Sequence, residues 1–265
     1  MIKIHYAVQV CDTASYQGAE RFCGQDRTLL SKKSLTSLLS AIRFCKDKTQ
    51  DASSHYLHII YDNTSDILIK WIENLRESVD DIEITVESLS PNTGIAASIR
   101  RCYQWLTDNG KDFVFQIQDD YIFDQSAIFE SVNVFYNILN KTQSHAIMQP
   151  FNDVHYWDSE YRYRATPRCV ELGSKGYWIQ IYDTSCSFLT SHWQFCQHWD
   201  LYEDFFRLIP LKEKNNLENK SLNYMFTKRG ILGLTSVNTL SHHIQVTPDP
   251  YVDWKKLWDE IVVND

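Results

Sequence analysis

The sequence predicts an α/β protein built on a mostly parallel sheet flanked by helices. Three observations carry that expectation. Over the first 150 of 265 residues, strand-like and helix-like patterns alternate in the order βαβαβαβ, which lays parallel strands side by side with helices over both faces. The apolar runs end in polar residues, several of them carboxylates, as strands do where a sheet meets its ligand edge. Finally, 43% hydrophobic content with only 8 Gly and 6 Pro is enough chain for a large core and excludes disorder and collagen-like repeats.

Ile2 to Val10 reads as the first strand, leading to Gln9, Cys11 and Asp12. Leu35, Leu38, Leu39, Ile42 and Cys45 then fall on one helical face. Tyr56 to Tyr61 is a short buried-strand pattern that ends in Asp62-Asn63-Thr64-Ser65-Asp66, a cluster able to stop a strand and cap a helix. The apolar stripe of that helix is Ile67, Leu68, Trp71, Ile72 and Leu75. Ile82 to Val86 forms a third strand before the turn signal Ser90-Pro91-Asn92-Thr93-Gly94. A third helix turns Ile95, Ile99, Cys102, Tyr103 and Leu106 inward, and Asp108-Asn109-Gly110 ends it. Phe113 to Gln118 is the fourth strand and runs straight into Asp119-Asp120.

Beyond residue 150 the alternation fades into an aromatic region. Residues 151–265 hold 6 of the 8 Trp and 8 of the 15 Tyr, which separates a regular half, 1–150, from an aromatic half, 151–265, of one compact domain. The net charge of −8 argues against a nucleic-acid backbone as partner, because phosphate neutralisation needs a basic face. No apolar run is long enough for a membrane span or a signal peptide, and seven scattered cysteines without a CxxC pair fit free thiols in a reducing cytoplasm. His192, Cys196 and His198 lie close in sequence and read as an aromatic helix end rather than metal ligands.

The sharpest chemical signal is Phe115-Gln116-Ile117-Gln118-Asp119-Asp120-Tyr121. A strand that delivers adjacent carboxylates into a loop can hold a hard divalent cation and leave coordination places for diphosphate and water. This pattern resembles the nucleotide-sugar-dependent glycosyltransferases of the GT-A fold, family 2-like, whose DxD-type metal motif follows the fourth strand. The resemblance covers roughly residues 1–135. It implies that Asp120 is the direct ligand of Mn²⁺ or Mg²⁺ and that Asp119 contacts ribose or sugar. Asp62 looks like the acidic end of the family's second strand, where the base is read, and Gln9 joins it at the first strand's end. Asn92-Thr93-Gly94, followed by the helix bearing Arg100 and Arg101, is similar to the family's Asn-x-Gly segment, so Gly94 and Arg101 are the donor-contacting residues it implies. Gln118 departs from the motif, where the family carries an acid.

Ser241-His242-His243-Ile244 supplies a second ligand by the same resemblance, since a His returning from the C-terminal half to the metal recurs in this fold. In an extended segment only one of the two faces the site, and His243 is taken as that one. For an inverting transfer, one carboxylate must accept the acceptor's proton. Glu218, in a segment that looks like the family's acidic pair ahead of a helix, is the first choice and Asp204 the second; a simple helix N-terminal charge is the alternative for either. Trp157, Tyr161, Tyr163, Trp178, Trp193 and Trp199 would line an acceptor site or fill the core. The amphipathic segment from Trp254 to Val262 carries too many acids for an anionic membrane and docks on the protein body or another subunit.

The expected activity is transfer of a sugar from a nucleoside diphosphate donor, UDP-sugar ahead of GDP-sugar, to a glycan or lipid-linked hydroxyl in polysaccharide biosynthesis. A sugar nucleotidyltransferase shares sheet and metal, but the stretch after the first strand, Cys11 to Ala19, has a single Gly and no basic residue. A non-catalytic carbohydrate-binding protein accounts for the aromatics and not for the acidic strand ends.

Overall fold

Strand β1 (Ile2–Val10) lies at the heart of the sheet because its residues are buried on both sides, from Ile4 to Val10. It pairs in parallel with β2 (Ser53–Tyr61) on one side and β4 (Phe113–Gln118) on the other, and β3 (Glu83–Ser88) adds in parallel outside β2. The computed structural model describes residues 1–13, 26–50, 52–90, 93–152, 170–184, 187–211, 217–244 and 252–263. Helices α1 (Arg27–Lys48), α2 (Asp66–Ser78) and α3 (Ile95–Asn109) connect these strands, and α2 begins directly at the polar cluster that follows β2. Ser65 caps α2 through its hydroxyl, as the cluster around it predicts, and Asp26 does the same for α1.

The aromatic half supplies strands to the same sheet. After the short strand β5 (Tyr121–Phe123) and helix α4 (Ala127–Thr142) come β6 (Ala146–Gln149), β7 (Val170–Leu172), β8 (Tyr177–Ile181), β9 (Phe188–Ser191) and β10 (Leu232–Ser236). The nine-stranded order is β3-β2-β1-β4-β9-β6-β10-β8-β7. β9 runs antiparallel to both β4 and β6, and β8 antiparallel to both β10 and β7, so seven of the nine strands point one way. A separate two-stranded ribbon joins β5 to β11 (Ser241–His243). Helices α5 (His192–Cys196), α6 (Trp199–Leu208), α7 (Tyr224–Thr227) and α8 (Trp254–Glu260) are the other α-helices among the described residues. Among the described residues no helix is long and apolar enough to cross a membrane.

Strand alternation sorts the core into two faces. Tyr6, Val8, Leu57, Ile59, Phe115 and Ile117 pack under α1, α2 and α4. Ala7, Ile60 and Val114 face α3 and α6, where Tyr103, Phe195, Tyr202 and Phe206 form an aromatic cluster. Two residues expected to point inward do not: Ile67 is 70% and Ile95 50% exposed. Both lie in the first turn of their helices, where side chains lean back toward the N-terminus and past the edge of the sheet. Trp178 is fully buried in the first core and Trp199 packs against Tyr202 and Phe206, so neither lines an open acceptor surface. Trp193 is exposed but lies by the N-terminal edge of the parallel strands, while Trp157, Tyr161 and Tyr163 lie outside the described residues. The segment ahead of the helix expected to end near Lys228 holds a 3-10 turn, Glu218–Lys220; Ser221 leaves the helical region at φ −144° and ψ −89°, and α7 then runs from Tyr224 to Thr227.

Gly110 ends α3 by donating its N–H to the Leu106 carbonyl at 2.9 Å. An added Cβ would meet that carbonyl and come within 2.6 Å of Val114 Cγ1 and of His192 Cδ2. Gly110→Ala is therefore expected to cost about 3 kcal/mol by overpacking. Urea denaturation checks it, and a loss under about 0.5 kcal/mol, the scatter of neutral surface changes, would contradict it.

Candidate functional site

The parallel register sets Val10 beside Tyr61 and Gln9 beside Gln118, which brings the acidic ends of β1, β2 and β4 to one edge. At the end of β1, Asp12 clasps two helix starts together. Its carboxylate accepts from the Thr28 hydroxyl at 2.6 Å, the Ser65 hydroxyl at 2.6 Å and the Ser65 N–H at 2.7 Å. Asp62 is buried beside it, with its N–H on the Val10 carbonyl at 3.0 Å and one carboxylate oxygen accepting from Asn63 Nδ2 at 3.0 Å. Gln9 is also buried, on the α3 face of the sheet.

Asp119 and Asp120, in the turn between β4 and β5, diverge. Asp119 turns to α1, where Oδ2 accepts from the Ser31 hydroxyl at 2.6 Å and the Cys11 N–H at 3.0 Å. Withdrawal of this carboxyl from water pushes its pKa up to about 6, and the charge of Asp120 adds to the effect. The Ser31 and Cys11 bonds and the positive charge of Arg27 oppose it. Arg27 precedes Ser31 by four residues and so shares its helix face, one turn nearer the open end.

Asp120 turns to the ribbon. Its carbonyl accepts from the Ile244 N–H at 2.9 Å, and its Oδ2 lies 3.2 Å from His243 Nε2. The His243 ring stacks on Tyr121 with centroids 4.6 Å apart and planes 3° from parallel. His242, paired with Ile122, points the opposite way into the protein, and burial pushes its imidazole down to about 3. Only His243 of the two faces Asp120. The 3.2 Å separation suits adjacent ligands of one octahedral ion, whose atoms lie about 3 Å apart when bonds are about 2.1 Å. A carboxylate oxygen with a neutral imidazole is a donor set that Mn²⁺ accepts. Among the described residues no group of three or more His, Cys, Asp and Glu converges as a metal set.

The other expected residues sit around this centre. Gly94 caps α3 with φ +86°, a left-handed conformation that only glycine adopts without strain, and nothing lies within 4 Å of where a Cβ would be. Asn92 lies outside the described residues. Arg101 is two turns into α3, and its Nε donates to Glu87 Oε1 at 2.7 Å while Glu87 Oε2 lies 3.2 Å from His58 Nε2. That guanidinium holds the Glu87 carboxyl below the usual carboxylate range, and burial lowers His58.

Glu218 opens the 3-10 turn, and its carbonyl accepts from the Asn223 N–H at 2.8 Å. The Asn223 side chain donates to Asp183 Oδ1 at 2.5 Å and accepts from the Thr184 N–H at 2.9 Å. Ser187, further along the same connection, accepts from the Gln118 N–H at 3.2 Å, so a run of hydrogen bonds ties the Glu218 turn to the motif strand. Asp204 instead lies on α6, paired with its neighbour Arg207. His192 Nε2 and Cys196 Sγ are 3.2 Å apart on α5, and His198 joins Gln194 and Arg229 instead. Sequence reasoning did not single out Arg27, Ser31 or Tyr121, each an ordinary helix or strand residue until the fold sets it against Asp119 or His243.

No family model matches the chain, and no curated protein sequence matches it. Solved structures do. The structure of Staphylococcus aureus TarS residues 1–349 is similar at a TM-score of 0.50 and 12% identity, covering 91% of this chain and 60% of that one. The same TarS fragment in complex with UDP-GlcNAc gives 0.48 and 11%, over 91% and 58%. UDP-glucose pyrophosphorylase from Acinetobacter baumannii gives 0.46 and 8%, over 92% and 89%. The chain thus spans about three fifths of the TarS fragment. What it has in common with that fragment is the fold, a mixed α/β architecture of GT-A type with a large, mostly parallel central sheet flanked by helices.

Proposed function

We propose that this protein is a metal-dependent glycosyltransferase that moves a sugar from a UDP-sugar to a hydroxyl of a glycan or lipid-linked acceptor, with inversion. The observation that carries this reading is the Asp120–His243 pair at the carboxyl end of a parallel sheet. The half 1–150 binds the donor and 151–265 faces the acceptor. Asp62 and Gln9 meet the nucleoside, Asp119 the ribose or sugar, and the open backbone at Gly94 leaves room beside them. Asp120 and His243 would hold Mn²⁺ or Mg²⁺, which would supply positive charge to offset that of the departing diphosphate. Glu218, as carboxylate, accepts the acceptor hydroxyl's proton while that oxygen bonds to the anomeric carbon and the carbon–diphosphate bond breaks.

Two arginines compete for the diphosphate. Arg101 pairs with Glu87, and Arg27, whose positive charge acts on Asp119, lies at the start of a 22-residue helix, where dipole and guanidinium both favour an anion. Arg27→Ala is expected to weaken UDP binding by about tenfold or more, the cost of one charge-assisted hydrogen bond, and Arg101→Ala by less. The reverse order would assign the phosphates to Arg101. Calorimetric titration with UDP, GDP and CDP, each with and without Mn²⁺, tests the whole reading. Absence of nucleotide binding under every condition overturns it. Release of diphosphate from UTP and a sugar 1-phosphate, without transfer to any acceptor, would make the protein a nucleotidyltransferase instead.

A further inference from the structure

We propose that Lys33 is a positioning residue that fastens the C-terminal helix α8 over the candidate site and thereby fixes the Asp120–His243 geometry; this rests on reading that pair as the metal site. Lys33 lies on α1 with only 8% of its surface exposed, so its ammonium must find acceptors inside the protein. It finds them at the end of α8. Nζ donates to the Trp258 carbonyl and, at 2.9 Å, to the Ile261 carbonyl, and it sits 4.6 Å from the centre of the Trp258 ring. Carbonyls at a helix C-terminus carry concentrated negative partial charge, and an ammonium over an indole face gains further.

Beneath α8 lies a small apolar cluster. Leu30, Ile122 and Ile244 are buried in it, and Val252, Leu257, Trp258 and Ile261 cover them. Each of the three buried residues is the chain neighbour of a site residue. Leu30 precedes Ser31, which donates to Asp119 at 2.6 Å. Ile122 follows Tyr121, whose ring stacks on His243. Ile244 follows His243, and its own N–H holds the Asp120 carbonyl at 2.9 Å. One covering element therefore touches all three segments that build the site.

The ribbon needs such support. β5 and β11 have three residues each and stand outside the nine-stranded sheet, and an isolated two-stranded ribbon is marginal in water. Its far end is held by Phe123 N–H on the Ser37 hydroxyl at 3.1 Å and Asp124 N–H on the Leu240 carbonyl at 2.8 Å. The end that carries Tyr121 and His243 is held by the Ile244–Asp120 backbone bond, by Tyr121 packed on Phe151 in the main core with ring centroids 5.3 Å apart, and by the cluster under α8. A shift of β11 by a fraction of a residue would part Nε2 from Oδ2. By linkage, an ion that requires the pair together also strengthens docking of α8.

The test is hydrogen exchange on the full chain without ligand, together with titration of Mn²⁺ alone, for Lys33→Met, Lys33→Arg and Trp258→Ala. Met keeps the stem and removes the donors. Lys33→Met is expected to speed exchange in segments 254–261 and 241–244 while β1 to β4 stay protected, and to weaken Mn²⁺ binding by about tenfold, as supporting-shell changes do. Lys33→Arg restores both. The same faster exchange at 241–244 in Trp258→Ala supports the coupling by a second route, should Lys33→Met fold poorly. Fast exchange at 254–261 with 241–244 and Mn²⁺ affinity unchanged, in either variant, overturns the proposal, as does an undisturbed α8 in Lys33→Met. Wild-type protein that binds no Mn²⁺ would remove the metal reading alone, because the exchange pattern decides the coupling without any ligand.

Discussion

Asp120→Ala is expected to raise the dissociation constant for UDP in the presence of Mn²⁺ by about 100-fold, or about 2.7 kcal/mol, and to leave UDP binding without metal nearly unchanged. Asp120 meets the His243 imidazole at 3.2 Å in the turn after β4, so its loss removes the charged member of the proposed ligand pair. His243→Ala retains that carboxylate and is expected to cost about tenfold. His242→Ala separates site from scaffold. That imidazole is buried on the other side of the ribbon, so its truncation should lower stability by about 1–3 kcal/mol and leave metal affinity intact. Calorimetry for affinity and urea denaturation for stability measure the two separately. Equal Mn²⁺-dependent affinity in Asp120→Ala and wild type would remove the metal from the proposed mechanism.

Acidification from pH 7 to pH 4.5 is expected to destabilise the protein through its buried histidines. His5, His55 and His198 are buried, and burial pushes each imidazole down from 6.5 to about 4. The environments hold the neutral form. His55 bridges the Tyr6 hydroxyl at 2.9 Å and the Ser53 hydroxyl at 2.9 Å, and His198 Nδ1 accepts from Arg229 at 2.8 Å, which a protonated ring cannot do. Between pH 6.5 and 4 the unfolded chain therefore binds more protons than the folded one, and stability falls as pH falls. The contribution is fully present above pH 6.5 and gone below about pH 4. At about 1.4 kcal/mol per pK unit each histidine is worth on the order of 3 kcal/mol, so three approach the whole stability of an ordinary domain. Urea denaturation at pH 7 and pH 4.5 measures this. A difference below about 1 kcal/mol would show that these rings protonate without unfolding the protein.

Much of the first half was legible in the sequence because its signals are local. Ile2 to Val10 and Phe113 to Gln118 coincide with β1 and β4 to the residue, since each apolar run is bounded by a polar break that stops the strand. The second half was illegible for the same reason in reverse. β7 and β9 have four residues or fewer, too short for a period to show, and they exist because neighbouring strands accept their hydrogen bonds. Ile67 and Ile95 misled because periodicity assigns a face and not a distance from the sheet edge. In the site, the rule that only one of His242 and His243 faces Asp120 followed from strand alternation alone. The roles of Arg27, Ser31 and Lys33 did not, because a polar residue in the first turns of a helix looks the same whether it meets water, Asp119 or the end of α8.

By itself, then, the sequence determined the parallel βα order and the edge at which carboxylates gather, because both follow from short-range patterning and from the handedness of strand crossovers. Only the tertiary structure decided which carboxylate meets which imidazole. Asp120 and His243 are 123 residues apart, and they meet because β11 pairs with β5 in a register that sets His243 against Tyr121. That register depends on long-range packing, including the burial of Ile122 and Ile244 under a helix at the other end of the chain. Contacts closed over such distances leave no local period in a sequence, which is why the site's ingredients were readable and its assembly was not.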